Sequence, residues 1–89
     1  MTRDELATAS DLLESAAESA SGDTAERLTD IAGQIERLAT ADRGPDHGRL
    51  ARWQNALDEA KDDVDDATEA TIDEALEQIV AYRSSVDGV

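Results

Sequence analysis

Four times along this 89-residue chain, apolar side chains recur at alternating intervals of three and four residues, the repeat that gathers them on one face of an α-helix. The first series is Leu6, Ala9, Leu13, Ala16 and Ala20, widened by Leu12 and Ala17. Ala25, Leu28, Ile31 (with Ala32), Ile35 and Leu38 form the second, and Leu50, Trp53, Leu57, Ala60 and Val64 the third. Ile72, Ala75 (with Leu76), Ile79, Tyr82 and Val86 complete the set. Each stripe must be covered by another element, and four of similar length cover one another in a bundle.

The residues between the stripes supply starts and stops. Thr2-Arg3-Asp4-Glu5 has the form of a capping box, with two acids placed where the helix dipole favours them. Gly22 is expected to end the first helix in a left-handed conformation, and Asp23 to cap the second, which is expected to run to about Asp42. So short a connection turns the first two helices back on each other. Gly44-Pro45 breaks the pattern and Asp46 is the expected cap of the third helix. After Val64 the rhythm lapses for eight residues without Gly or Pro, and either Asp66 with Glu69 or Thr71 with Glu74 could restart a helix. Gly88 marks the end of the fourth stripe. Segments of about 18–20 residues would each be roughly 27–30 Å long. The expected fold is all-α: an antiparallel four-helix bundle forming one domain over residues 1–89. The alternative is two short helices followed by one long helix from about Asp46 to Val86, with the core completed in a dimer.

Size and composition narrow the function. A domain this small buries only about 60–65% of its unfolded surface and has no room for a large enclosed cavity. Its large apolar side chains are eight Leu, four Ile and four Val, with Trp53, Tyr82 and Met1 and no Phe, so the core is thin. Without Cys there are no disulfides, thiolate nucleophiles or Cys-based metal sites. No apolar run nears the roughly 18–20 residues of a membrane span, and no signal peptide opens the chain. The expectation is a soluble, cytoplasmic protein that binds no membrane.

Thirteen Asp and nine Glu against seven Arg and one Lys give a net charge of −14. Such a charge opposes nonspecific binding to nucleic acid, so no nucleic-acid partner is expected. Excess Asp, scarce Lys and abundant Ala and Thr fit a cytoplasm of molar salt, where the screening length falls to about 3 Å and self-repulsion is largely removed. A mimic of DNA is a less direct account of the same acidity.

Against this background one island is cationic. Residues 37–52 contain Arg37, Arg43, Arg49 and Arg52 and only two acids, a local charge of +2, which leaves −16 on the other 73 residues. Guanidinium forks suit carboxylate or phosphate, so Arg43, His47, Arg49 and Arg52 are the candidate ligand-binding residues. In the plainer reading, Arg37 and Arg43 answer the negative end of the second helix while Arg49 and Arg52 pair with neighbouring acids. The two readings differ in whether the guanidinium groups share one open surface.

No catalytic residue, metal site or cofactor is expected. His47 has no second His or Cys to complete a zinc shell, and no Glu-x-x-His pair suggests a di-metal bundle. Asp62, Asp63, Asp65 and Asp66 lack the central Gly of a calcium loop and read as a solvated corner. Trp53 lies on a core stripe, and its indole N–H needs an acceptor, for which Gln54 and Asn55 are the nearest choices in sequence.

The stretch DRGPDHGRLARWQNAL at residues 42–57, Ile72-Asp73-Glu74-Ala75, and the ending AYRSSVDGV together resemble a family of small uncharacterised acidic all-helical proteins from haloarchaea. The likeness spans nearly the whole chain. It implies a helical fold and a saline habitat, and it carries no activity or site residues. The leading expectation is a non-catalytic helical bundle, not an enzyme, serving as a protein-interaction or regulatory module in a halophilic cytoplasm, as a homodimer or with another protein. The alternative is an anion or acidic-ligand binding module using the Arg-rich loop and the start of the third helix.

Overall fold

The computed structural model describes residues 3–85, and they form four α-helices. Helix α1 is Asp4–Ser19, α2 is Gly22–Ala39, α3 is His47–Ala60 and α4 is Asp66–Ser85, with a 3₁₀ turn at Lys61–Asp63. Helix α4, 20 residues long and so about 30 Å, accounts for most of the 36 Å long axis. The bundle is therefore present. The single long helix from Asp46 to Val86 is not, because the chain leaves helical geometry at Val64 (φ −131°, ψ 167°).

The restart after that break depends on one carboxylate. Asp65 Oδ1 accepts the Thr68 backbone N–H at 2.8 Å and so satisfies one of the first free donors of α4. Hydrogen bonds from Thr68, its hydroxyl first and then its backbone N–H, hold the Asp65 carboxyl below the usual carboxylate range. This cap's contribution to stability is present above the ordinary carboxyl pKa and fades as pH falls through the lowered one. The cap lies one residue before the Asp66 box expected from sequence, and Thr71, the other candidate, lies inside α4 with its hydroxyl bonded to the Ala67 carbonyl.

Other boundaries also move. Helix α1 ends at Ser19 through an extended Ala20, and Gly22, with φ of 60°, is the first residue of α2 instead of the terminator of α1. Asp23 sits in the first turn of α2 and makes no capping bond. Helix α2 stops at Ala39, short of Asp42, while α1 and α3 have 16 and 14 residues, fewer than expected. Asp46 caps α3 as anticipated, its Oδ1 accepting the Arg49 N–H at 2.8 Å. The expected roles of Thr2, Val86 and Gly88 fall outside the described residues.

The four stripes meet in one core. Leu6, Leu13, Leu28, Ile35, Leu50, Leu57, Ile72 and Ile79 are fully buried, each worth roughly 1.5–3 kcal/mol. Helix α1 is central and packs closely on both α2 and α4. Small residues explain this: α1 turns Ala9, Ser10 and Ala16 inward, α2 Ala32 and α4 Ala75. The Ser10 hydroxyl reaches the Ala32 carbonyl at 2.9 Å, a buried bond between α1 and α2. Helix α3 instead presents Leu50, Trp53 and Leu57, and larger contact residues set helix axes farther apart. It touches α2 at few places. Its ties to α4 include Arg83 Nη1 to Gln54 Oε1 at 2.6 Å and, just past its end, Lys61 Nζ to Asp73 Oδ1 at 2.8 Å. The Asp73 hydrogen bond raises the Lys61 pKa above its ordinary value, so the contribution of this pair is present at neutral pH and lost as pH rises through that raised pKa.

The negative end of α2 is answered from the far side of the hairpin. Arg3 donates its backbone N–H to the Ala39 carbonyl at 2.9 Å, and its Nη1 to the carbonyls of Leu38 at 3.1 Å and Ala41 at 2.7 Å. Arg37 stands in the last turn of α2, as expected, but the hydrogen bonds to the terminal carbonyls come from Arg3, and Arg43 makes none there among the described residues. The loop closes tightly over this clasp. A Cβ at Gly44 would lie 2.6 Å from Arg3 Nε and 2.6 Å from the Tyr82 hydroxyl. Gly44→Ala is therefore expected to destabilise the domain by about 1–3 kcal/mol, as overpacking does. Gly48→Ala, with its nearest such atom at 3.5 Å, serves as the control and should hold or raise stability. Urea melts of the two variants check the contrast.

Candidate functional site

The wide spacing of α2 and α3 leaves a seam on the surface of the bundle. One groove of about 890 Å³ runs along it, and a second of about 440 Å³ lies over the connection between the two helices. Gln34, Arg37 and Arg49 line both grooves, so the two meet at these three side chains. Arg52 extends the first groove and Arg43 the second.

Local sequence explains the placement. Arg37 follows Ile35, whose side chain is in the core, and lies four residues after Gly33. Its Nη1 is 3.8 Å from where a Gly33 Cβ would stand, ordinary contact distance, so Arg37 lies back along α2 over Gly33. On α3, Arg49 and Arg52 stand one turn apart beside the inward Leu50 and Trp53. Arg43 comes from the connection, next to Gly44 and the buried Pro45. Arg37, Arg43, Arg49 and Arg52 are all exposed, and none forms an ion pair among the described residues. The separate pairs of the plainer reading are absent there.

The seam has two electrical ends. Asp23, Glu26 and Asp30 line the first groove toward the start of α2, where Arg27 and Glu59 approach at 3.9 Å. That exposed pair is worth about 0–1 kcal/mol. The guanidinium groups gather toward the opposite end, where α2 finishes and α3 begins.

The candidates named from sequence divide accordingly. Arg43, Arg49 and Arg52 join on the seam, with Arg37 between them, whereas His47 is half-buried at the first position of α3 and lines neither groove. Among the described residues no three His, Asp or Glu side chains are gathered as a metal site requires. Asp62, Asp63 and Asp66 are exposed.

Sequence reasoning missed Gln34. Trp53 is buried, and its Nε1 donates to Gln34 Oε1 across the seam at 3.0 Å. The acceptor is thus neither Gln54, which receives Arg83, nor Asn55. The signal lay in the polar residue between Gly33 and Ile35, at the margin of the second stripe.

Among the described residues no helix is long and apolar enough to cross a membrane. No curated protein and no solved structure matches the chain significantly. Residues 1–85 match the family of unknown function DUF7553, and the chain belongs to that family.

Proposed function

We propose that this chain is a non-catalytic binding module whose working surface is the cationic end of the α2–α3 seam, and that its ligand is anionic. The observation that carries this reading is that Arg37, Arg43, Arg49 and Arg52 are exposed on one seam without an ion-pair partner among the described residues. Elsewhere a chain of net charge −14 repels an anion. The seam therefore orients an approaching ligand as well as holding it. Its guanidinium and amide donors suit recognition of an anion. The setting we propose is a halophilic cytoplasm, supported by the 22 acids against a single Lys.

Isothermal titration in about 2 M KCl, where long-range attraction is screened and only contact hydrogen bonds discriminate, tests the reading. Wild-type protein should bind pyrophosphate or a glutamate-rich peptide, and the R49A/R52A double variant should bind at least about tenfold more weakly, since a hydrogen bond to a charged group is worth about 1.5–3 kcal/mol. Equal affinity of the two proteins, or no binding by either, removes it.

A second reading rests on a different surface. Val80 is 47% exposed on α4 beside the half-buried Leu76, a place where a homodimer or another protein would bury apolar area. Sedimentation of the same samples decides for the homodimer if the mass doubles and against it if the protein stays monomeric.

A further inference from the structure

We infer that the seam takes a phosphate-class oxyanion, seated where the two grooves meet on Gln34, Arg37 and Arg49; the inference rests on the binding role proposed above. Its starting point is the bond between Trp53 and Gln34. An indole N–H can only donate, so the Gln34 atom facing it at 3.0 Å is the amide oxygen. The orientation of the amide is thereby set, and its Nε2, with two N–H groups, is the free end. Among the described residues Nε2 makes no hydrogen bond, and no buried side-chain nitrogen or oxygen is left without a partner. Nε2 is therefore open to solvent on the seam, which Gln34 lines in both grooves.

Two of the acceptors at the junction are already engaged, while the carboxylates of Asp23, Glu26 and Asp30 lie along the first groove toward the start of α2. Gln34 Oε1 is taken by Trp53, and Asp46 Oδ1, on the second groove, by the Arg49 N–H at 2.8 Å. What the junction offers is an amide NH₂ and a guanidinium from α2 and a second guanidinium from α3. Three donor groups arriving from two helices match a tetrahedral group with three acceptor oxygens better than a planar carboxylate with two. A phosphoryl group also carries about −1.5 to −2 charge at neutral pH, which favours it over a carboxylate beside two guanidinium groups. Arg52 and Arg43, one in each groove, receive whatever continues from the phosphate on either side.

The discriminating variant is Gln34→Glu. It leaves a carboxylate oxygen to accept the Trp53 N–H, so the packing of the indole is retained, while it replaces the outward NH₂ by a second negative oxygen. Calorimetric titration in about 2 M KCl with inorganic pyrophosphate, a phosphoserine peptide, its unphosphorylated counterpart and a glutamate-rich peptide separates the sources. Wild-type protein should bind pyrophosphate, the phosphoserine peptide, or both, in preference to the other two, and Trp53 fluorescence should shift on binding because its hydrogen-bond partner is engaged. Q34E should melt at the wild-type temperature and bind at least about tenfold more weakly. Arg37→Gln, at an exposed position outside the core, should weaken phosphate binding similarly, and it serves as the test if Q34E does not fold. Undiminished phosphate affinity in either folded variant overturns the inference. Binding of the glutamate-rich peptide alone, lost in R49A/R52A, overturns the phosphate assignment and leaves the binding role standing. Absence of any binding overturns both.

Discussion

Trp53→Ala is expected to remove about 3–5 kcal/mol of stability, the usual range for deleting a buried aromatic side chain. A domain of 89 residues at roughly 0.05–0.15 kcal/mol per residue has about 4–13 kcal/mol in all, so this loss is a large fraction of the whole. The variant should therefore melt at much lower urea than the wild type. Two features make this position the most sensitive. Trp53 is the largest side chain in a core without Phe, and it spans the seam at which α3 meets α2 only sparsely. Trp53→Phe should cost less, about 1–2 kcal/mol, because most of the buried area remains and the released Gln34 oxygen can turn to water. Urea melts followed by far-UV circular dichroism give both values. A loss under about 1 kcal/mol in the alanine variant would place the indole outside the core.

The second large effect concerns salt. Of the 22 acids in the chain, only Asp58, Glu59 and Asp73 form ion pairs among the described residues. Internal pairing therefore does little to offset the net charge of −14. Dissolved cations must do so, and between 0.1 M and 1 M the screening length contracts from about 10 Å to about 3 Å. If relief of repulsion adds about 2–4 kcal/mol, the melting temperature should rise by roughly 10–30 °C, at 4–8 °C per kcal/mol for a domain of this size. Scanning calorimetry from about 0.1 to 2 M KCl checks it. A melting temperature that does not move would remove the proposed saline habitat, while the fold would stand.

The helices were legible because their signal is local. An apolar residue every three to four positions fixes the inward face before any partner is known, and the middle of each stripe is found in the core, while Ala20, Leu38, Val64 and Tyr82 toward the stripe ends are only partly buried. The ends were less legible where neighbouring residues were chemically equivalent. Asp62, Asp63, Asp65 and Asp66 offer similar carboxylates, and only the backbone turn selects Asp65 as the cap. Gly22 could as well close one helix as open the next, since a positive φ serves either purpose. Partners remote in sequence were not legible at all. Arg3 meets carbonyls 35 to 39 positions away, and Trp53 finds its acceptor 19 positions back. At the candidate site, the excess of Arg over acid between residues 37 and 52 was plain from sequence. Its openness was not, because it depends on how far Leu50, Trp53 and Leu57 hold α3 from α2. His47, adjacent in sequence to the cationic residues, lines neither groove.

The Arg3 clasp and the Ser10 bond make the first two helices a hairpin latched at one end and pinned near its middle. Helix α3 is tied to α2 by the Trp53–Gln34 hydrogen bond and touches it at few other places, so it is the arm expected to open first when the molecule loosens locally. An anion gripping α2 and α3 together would brace that loosest joint, and occupancy would be registered as stiffness in one limb with little change of shape.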